Sequence, residues 1–147
     1  MQGQETSIEA VKNYLNQKGI NPSYQRLRIF ELLSSGKNHP TADLIYNTLI
    51  REIPTLSKTT VYNTLNLFQK RGIVTGLTID ENEVRYEANT KPHAHFKCTS
   101  CGAIIDMPID CPYLAEKFVD GNKVTERHLY LKGICSACMK MYGMTGQ

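Results

Sequence analysis

The sequence predicts an α+β protein of two parts, an N-terminal winged helix-turn-helix domain followed by a small α/β domain. Three observations carry that prediction. Four stretches before residue 72 carry apolar residues at helical spacing, and two strand-like runs follow within residues 73–88. The last third then holds two Cys-x-x-Cys pairs, Cys98/Cys101 and Cys135/Cys138. At 147 residues the chain suffices for one ordinary domain or two small ones. A hydrophobic content of 41% and a charged content of 21% are globular values, so disorder is not expected.

Ile8, Val11 and Leu15 repeat at helical spacing, and Gly19 follows as a stop. Asn21-Pro22-Ser23 opens a second helix, with Ser23 as N-cap and Ile29, Phe30 and Leu33 on one face; Ser34-Ser35-Gly36 ends it. A third starts at Pro40-Thr41. Its apolar set of Ala42, Ile45, Tyr46, Leu49 and Ile53 has the clearest 3.6-residue period in the chain, and Pro54 breaks it.

The fourth helix is the informative one. Ser57 stands at its N-cap, and Val61, Leu65 and Phe68 form a stripe to bury. The opposite face carries Thr59, Tyr62, Asn63, Asn66 and Gln69, with Lys58 at one end and Lys70-Arg71 at the other. Such a surface can lie in a DNA major groove, hydrogen-bonding base edges while its ends meet phosphates. Two strand-like runs, Ile73 to Ile79 and Glu83 to Ala88, are separated by Asp80-Glu81-Asn82 and complete a winged helix-turn-helix. The alternative is a small helical domain whose polar face meets only water.

Charge is distributed unevenly. From Lys12 to Arg71 nine Lys or Arg stand against three acids, a balance of +6, and four acids then cluster between Asp80 and Glu87. A basic block followed by an acidic junction fits a DNA-facing region joined to something else, although a solvated helical surface would read the same way.

Asn89-Thr90-Lys91-Pro92 has no periodicity and contains a proline. The expected organisation is therefore a winged-helix domain over 1–88, a hinge over 89–92 and a metal-binding dimerisation domain over 93–147. Beyond the hinge, His93 to Cys98 and Ala103 to Met107 predict short strands, Pro112 to Val119 a helix, and Lys123 to Lys132 a further strand. A module of about 55 residues buries little by itself, so a structural zinc and a partner subunit both make physical sense.

Each Cys pair can put two thiolates on one metal from a single turn. Together they complete a four-sulfur site suited to zinc, with ligands Cys98, Cys101, Cys135 and Cys138. The 33 residues between the pairs exceed the usual ribbon spacing, so a small sub-domain folds inside the clamp. A redox dithiol would need only one pair, and structural disulfides would need a secreted chain. The polar stretch Met1 to Ile8 argues against a secretory signal, and no apolar run approaches a membrane span. A cytoplasmic setting follows, where cysteines serve as metal ligands more often than as disulfides. Cys111, the fifth cysteine, is expected to be a free thiol.

Two of the four histidines form His93-x-His95. Residues two apart on a strand share a face, so both imidazoles can reach one ion. Asp106, in the adjacent strand, can supply an oxygen. Glu87 ends the wing and otherwise reads as one of the exposed acids there. His39, before the third helix, reads by itself as an ordinary loop histidine.

With these residues in place, the chain resembles the ferric uptake regulator (Fur) family of bacterial metal-dependent repressors, from about residue 10 to Cys138. The resemblance rests on Pro22-Ser23-Tyr24-Gln25-Arg26, His39-Pro40-Thr41-Ala42-Asp43, Ser57-Lys58-Thr59-Thr60-Val61-Tyr62, His93-Ala94-His95 and the two Cys pairs, in that order. It implies a homodimer on a palindromic double-stranded DNA operator, a four-cysteine structural zinc, and a regulatory Fe(II) or Mn(II) held by His39, Glu87, His93, His95 and Asp106. Such an ion would join the two domains and set the angle between them. Tyr62 and Asn63 are expected at base edges, and Arg26, Thr59 and Lys58 at phosphates.

Within the family, Asp106 stands where iron sensors usually carry Glu, and Asp is typical of the peroxide-sensing branch. That branch implies that bound Fe(II) reduces hydrogen peroxide and that oxygen is added to His39 or His93. Glu87 departs from the pattern, because the branch usually has Asp there. The extra site of iron sensors is degraded: Ala94 lies between the histidines, Pro92 precedes them, and Tyr113 stands where Glu is expected, leaving His128 as a remnant or a structural residue. An iron-responsive repressor is the alternative, with a zinc-responsive repressor behind it. Two further readings compete: a metal-dependent enzyme using His93, His95 and Asp106, and a constitutive DNA-binding protein with structural zinc only.

Overall fold

The computed structural model describes residues 5–36 and 38–143. The chain divides into two compact units, one reaching Thr90 and the other starting at Lys91.

The first unit contains four helices, α1 (Glu5–Gln17), α2 (Tyr24–Ser34), α3 (Ala42–Leu49) and α4 (Lys58–Lys70), followed by a hairpin of β1 (Thr75–Leu77) and β2 (Arg85–Glu87). Side-chain caps start three of the helices. Ser23 Oγ accepts from Arg26 N at 3.3 Å, Thr41 Oγ1 from Leu44 N at 3.1 Å, and Ser57 Oγ from Thr60 N at 3.0 Å. Each such cap is worth about 1 kcal/mol. Helices α1 and α4 end alike: Gly19 and Gly72 sit at φ +72, and the next amides reach back to Leu15 O and Phe68 O.

The buried stripe of α4 (Val61, Leu65, Phe68) meets Leu15, Ile29, Ile45 and Ile73 in one core. Phe30 packs edge-on to Phe68 with ring centres 5.8 Å apart. Arg28 bonds both Glu31 and Glu52, and Tyr24 Oη lies 3.1 Å from Glu52 Oε2, which ties α2 to the turn after α3. These bonds hold the Glu52 carboxyl below its ordinary range, Arg28 foremost. Helix α3 is shorter than its apolar period suggests. Ile53 is buried but lies just past the turn that ends the helix, with its amide on Leu49 O at 2.8 Å. Pro54 explains this, because its ring disfavours helical backbone at the preceding residue.

The second unit is a three-stranded sheet in the order β4-β3-β7, formed by β3 (Ala94–Cys98), β4 (Ile104–Met107) and β7 (Tyr130–Gly133). Strand β3 pairs antiparallel with β4 and parallel with β7. The register puts His95 opposite Asp106 and Tyr130, and Phe96 opposite Ile105 and Leu131, so the two sets occupy opposite faces. A small hairpin of β5 (Phe118–Val119) and β6 (Asn122–Lys123) turns at Asp120-Gly121, both at positive φ. Helix α5 (Ser136–Met141) closes the unit.

Two sequence expectations fail in this unit. Residues 112–119 form a single 3₁₀ turn, Pro112–Leu114, and then β5, not a helix; Leu114 is buried while Tyr113 and Phe118 are exposed, so no continuous helical stripe exists. The stretch 123–132 is also not one strand, because β6 and β7 are separated by residues without regular pairing. Helix α5 was not anticipated.

Candidate metal centres and nucleic-acid face

Cys98 ends β3, Cys101 follows in the turn before β4, Cys135 caps α5 and Cys138 lies within it. Their sulfurs all lie within 4.8 Å of one another, with Cys98–Cys138 and Cys101–Cys135 each at 3.8 Å. A tetrahedral zinc with bonds of about 2.3 Å requires sulfur–sulfur edges of about 3.8 Å. The cysteines are free thiols, and 3.8 Å is far beyond the roughly 2.05 Å of a disulfide. The amides of Cys101 and Cys135 point at Cys98 Sγ from 3.4 and 3.3 Å and, with Cys101 foremost, bring its thiol down to about 6. Its hydrogen bond with Cys135, and then burial, push the Cys138 thiol up to about 12. Backbone donors thus favour charge on one sulfur, while crowding opposes it on another until a cation arrives. Four thiols at this spacing are typical of a structural zinc site, in which all four ligands come from the protein.

The second set of metal-type residues divides between the units. In the first, His39 lies in the loop before α3 and is only 3% exposed; its Nε2 is 3.0 Å from Glu87 Oε2 at the end of β2. Glu87 is 7% exposed, which corrects the expectation of an exposed acid. A carboxylate withdrawn from water needs a cationic or hydrogen-bonding counterpart, and His39 faces it. In the second unit, His93 Nε2 and His95 Nε2 lie 3.5 and 3.3 Å from the same Asp106 Oδ1. Their rings are 4.4 Å apart. His93 Nδ1 is 2.6 Å from the Lys91 carbonyl, which can only accept, so Nδ1 donates there and Nε2 is the nitrogen turned to Asp106. Separations near 3.0–3.5 Å are those of neighbouring ligands on an ion with bonds of about 2.1 Å. Both groups combine imidazole with carboxylate, a donor set suited to Fe(II) or Mn(II).

On α4, Tyr62 is 46% exposed, and Thr59, Asn63 and Asn66 are exposed beside it. Gln69 serves differently. A Cβ at Gly76 would lie 2.6 Å from Gln69 Nε2, so the Gln69 amide rests against β1. Lys58 Nζ stands 3.8 Å from Asp43 and 5.6 Å from the centre of the Tyr46 ring. Arg26 donates through Nη1 to Asn21 O at 3.0 Å, supporting the loop before α2. His128 bonds Tyr130 Oη through Nδ1 at 2.9 Å and faces Glu126 at 3.3 Å. Cys111 is a half-buried free thiol. Arg85 escaped sequence reading; its only signal was an acid five residues earlier, Asp80, which its Nε meets at 3.0 Å.

Residues 17–138 match the family model described as the ferric uptake regulator family. Over 138 residues the chain is 37% identical to the peroxide-responsive repressor PerR of Staphylococcus aureus (strain Mu50), covering 91% of this chain and 93% of that one. The structure of PerR from Streptococcus pyogenes, solved for peroxide sensing and gene regulation, is 32% identical with a TM-score of 0.52, over 90% of this chain and 92% of that one. The ferric uptake regulator of Francisella tularensis with iron is 27% identical with a TM-score of 0.64, over 82% and 95%.

Proposed function

The chain belongs to the ferric uptake regulator family, a metal-dependent transcriptional repressor and not an enzyme, and on that premise we propose that it is released from DNA by hydrogen peroxide. In this reading His39, Glu87, His93, His95 and Asp106 share one regulatory Fe(II) or Mn(II). The observation that carries it is the convergence of His93 Nε2 and His95 Nε2 on Asp106 Oδ1. Neither half-site offers enough donors for the five or six that such an ion takes. Bringing the halves onto one ion would fix residues 1–88 relative to 93–147 across a hinge at 89–92, and the division between Thr90 and Lys91 supports that boundary. Moving an open–closed equilibrium from 1:99 to 99:1 takes about 5.5 kcal/mol of differential affinity.

Fe(II), when held there, would supply the electrons that reduce hydrogen peroxide. His39 or His93, as ligands, would be the group that gains oxygen; an oxidised imidazole donates poorly, so the closed form would be lost. Asp106 and the 37% identity to a peroxide-responsive repressor support this signal. Glu87 favours a second reading, an iron-responsive repressor whose DNA binding follows free Fe(II).

On the DNA side, Tyr62 and Asn63 read base edges while Arg26, Lys58 and Thr59 meet phosphates; the exposure of Tyr62 and Asn63 supports this. Two copies on a palindromic operator require a homodimer. The apolar row Ile105 (41% exposed), Phe96 and Leu131 (38% exposed), on the sheet face opposite His95, supports one. A four-thiol zinc site needs a reducing compartment, which supports the cytoplasm. Among the described residues no helix is long and apolar enough to cross a membrane.

The test is operator binding by fluorescence anisotropy with Mn(II) or Fe(II), before and after micromolar peroxide. Peroxide should abolish binding of the Fe(II) form and spare the Mn(II) form. Equal resistance of both would favour the iron-responsive reading.

A further inference from the structure

His39 has left-handed backbone, at φ +46, a conformation strained for a residue other than glycine. Its loop is held there by one strand of the wing. Pro40 O accepts from Tyr86 N at 2.9 Å, Thr41 bridges Arg85, and the His39 carbonyl accepts from Arg85 Nη1 in a long contact of 3.5 Å. The same guanidinium donates through Nε to Asp80 Oδ2 at 3.0 Å, at the start of the wing loop. At the other end of β2, Glu87 Oε2 meets His39 Nε2 at 3.0 Å. One three-residue strand therefore engages both the backbone and the ring of His39.

The geometry points to Arg85 as a positioning residue for the regulatory ion: a guanidinium clamp, set between Asp80 and the His39 carbonyl, that presets the His39 backbone and couples the wing to metal occupancy. This rests on the reading of His39 and Glu87 as ligands. Arginine suits the task because its planar fork serves two acceptors at once, whereas a lysine ammonium lacks that geometry. Asp80 fixes the half-buried side chain so that Nη1 faces the carbonyl. Coupling of this kind is reciprocal. A clamp that improves metal binding is itself steadied by the metal, so an ion on His39 and Glu87 slows the opening of the Tyr86–Pro40 hydrogen bond.

The experiment uses the full zinc-loaded chain with Mn(II) as probe, comparing wild type with Arg85→Gln, Arg85→Lys and Asp80→Asn. Mn(II) titration calorimetry and hydrogen exchange of the wing amides are read together. Arg85→Gln should bind Mn(II) about 10- to 100-fold more weakly, as loss of an outer-shell partner does, with Arg85→Lys and Asp80→Asn between it and wild type. Mn(II) should slow exchange at Tyr86 in wild type and fail to do so in Arg85→Gln. If Arg85→Gln does not fold, the other two variants carry the comparison. Wild-type Mn(II) affinity and protection in all folded variants would overturn the inference alone. A wild-type chain that takes up no Mn(II) would overturn the ligand reading beneath it, and the inference with it.

Discussion

His95 and Asp106 stand directly opposite one another in the antiparallel β3–β4 pair, with Nε2 3.3 Å from Oδ1. Sheet pairing sets that separation, so this pair is held by regular structure. His93, one residue before β3, adds its Nε2 at 3.5 Å from the same oxygen.

Asp106→Ala removes the oxygen on which both imidazoles converge. Mn(II) affinity should fall by at least about tenfold, the lower end of what loss of even an outer-shell partner costs. Zinc content should not change, because the four sulfurs are untouched. Metal analysis and calorimetry on one preparation check both halves; undiminished Mn(II) binding would exclude Asp106 as a ligand.

Cys98→Ser should unfold the second unit. Its small apolar cluster includes Cys98, Cys135 and Cys138 with Phe96 and Ile134 against them, so three of the four cysteines proposed to hold zinc are also part of its core. Structural zinc supplies on the order of 10 kcal/mol or more of folding free energy. Circular dichroism and size-exclusion chromatography read the outcome, and a folded, zinc-free variant would contradict it.

Tyr62→Ala should weaken specific DNA binding by about 1–3 kcal/mol without loss of fold, since the side chain is half-exposed on α4. Lys58→Ala should act on all sequences alike and lower the salt dependence by about one phosphate contact. Anisotropy on operator and random DNA at several salt concentrations separates the two. An equal loss on both DNAs for Tyr62→Ala would remove its base-reading role.

Phe68→Ala should cost the first unit about 3–5 kcal/mol, because the ring is fully buried against Phe30. Ser57→Ala should cost about 1 kcal/mol, the worth of the α4 cap. Denaturant unfolding ranks them; a larger loss from Ser57→Ala would contradict the account of the core.

What the chain reveals before folding follows from where its signals reside. Ser57 with Val61, Leu65 and Phe68 is a local pattern, and local periodicity with a cap declares a helix. The two Cys pairs are equally legible, because i, i+3 thiols and their chemistry are written in the spacing. Helix α5 was hidden because six residues without an apolar stripe carry no period, although Cys135 and Cys138 mark its first turn. The burial of Glu87 was hidden for another reason: it depends on His39, 48 positions earlier, and acidic neighbours on the chain suggest exposure. Gln69 matched the polar face of α4 by spacing, yet Gly76 leaves room for its amide against β1. Contacts between elements decided these cases, and no window along the chain contains them.

The most direct test of the central claim is peptide mass spectrometry of the Fe(II)-loaded chain after brief exposure to micromolar peroxide, beside a Mn(II)-loaded control. The account predicts a gain of one oxygen on the peptides holding His39 or His93, in the iron sample alone and in step with loss of operator binding. Unmodified histidines, with DNA binding that simply follows free Fe(II), would contradict it.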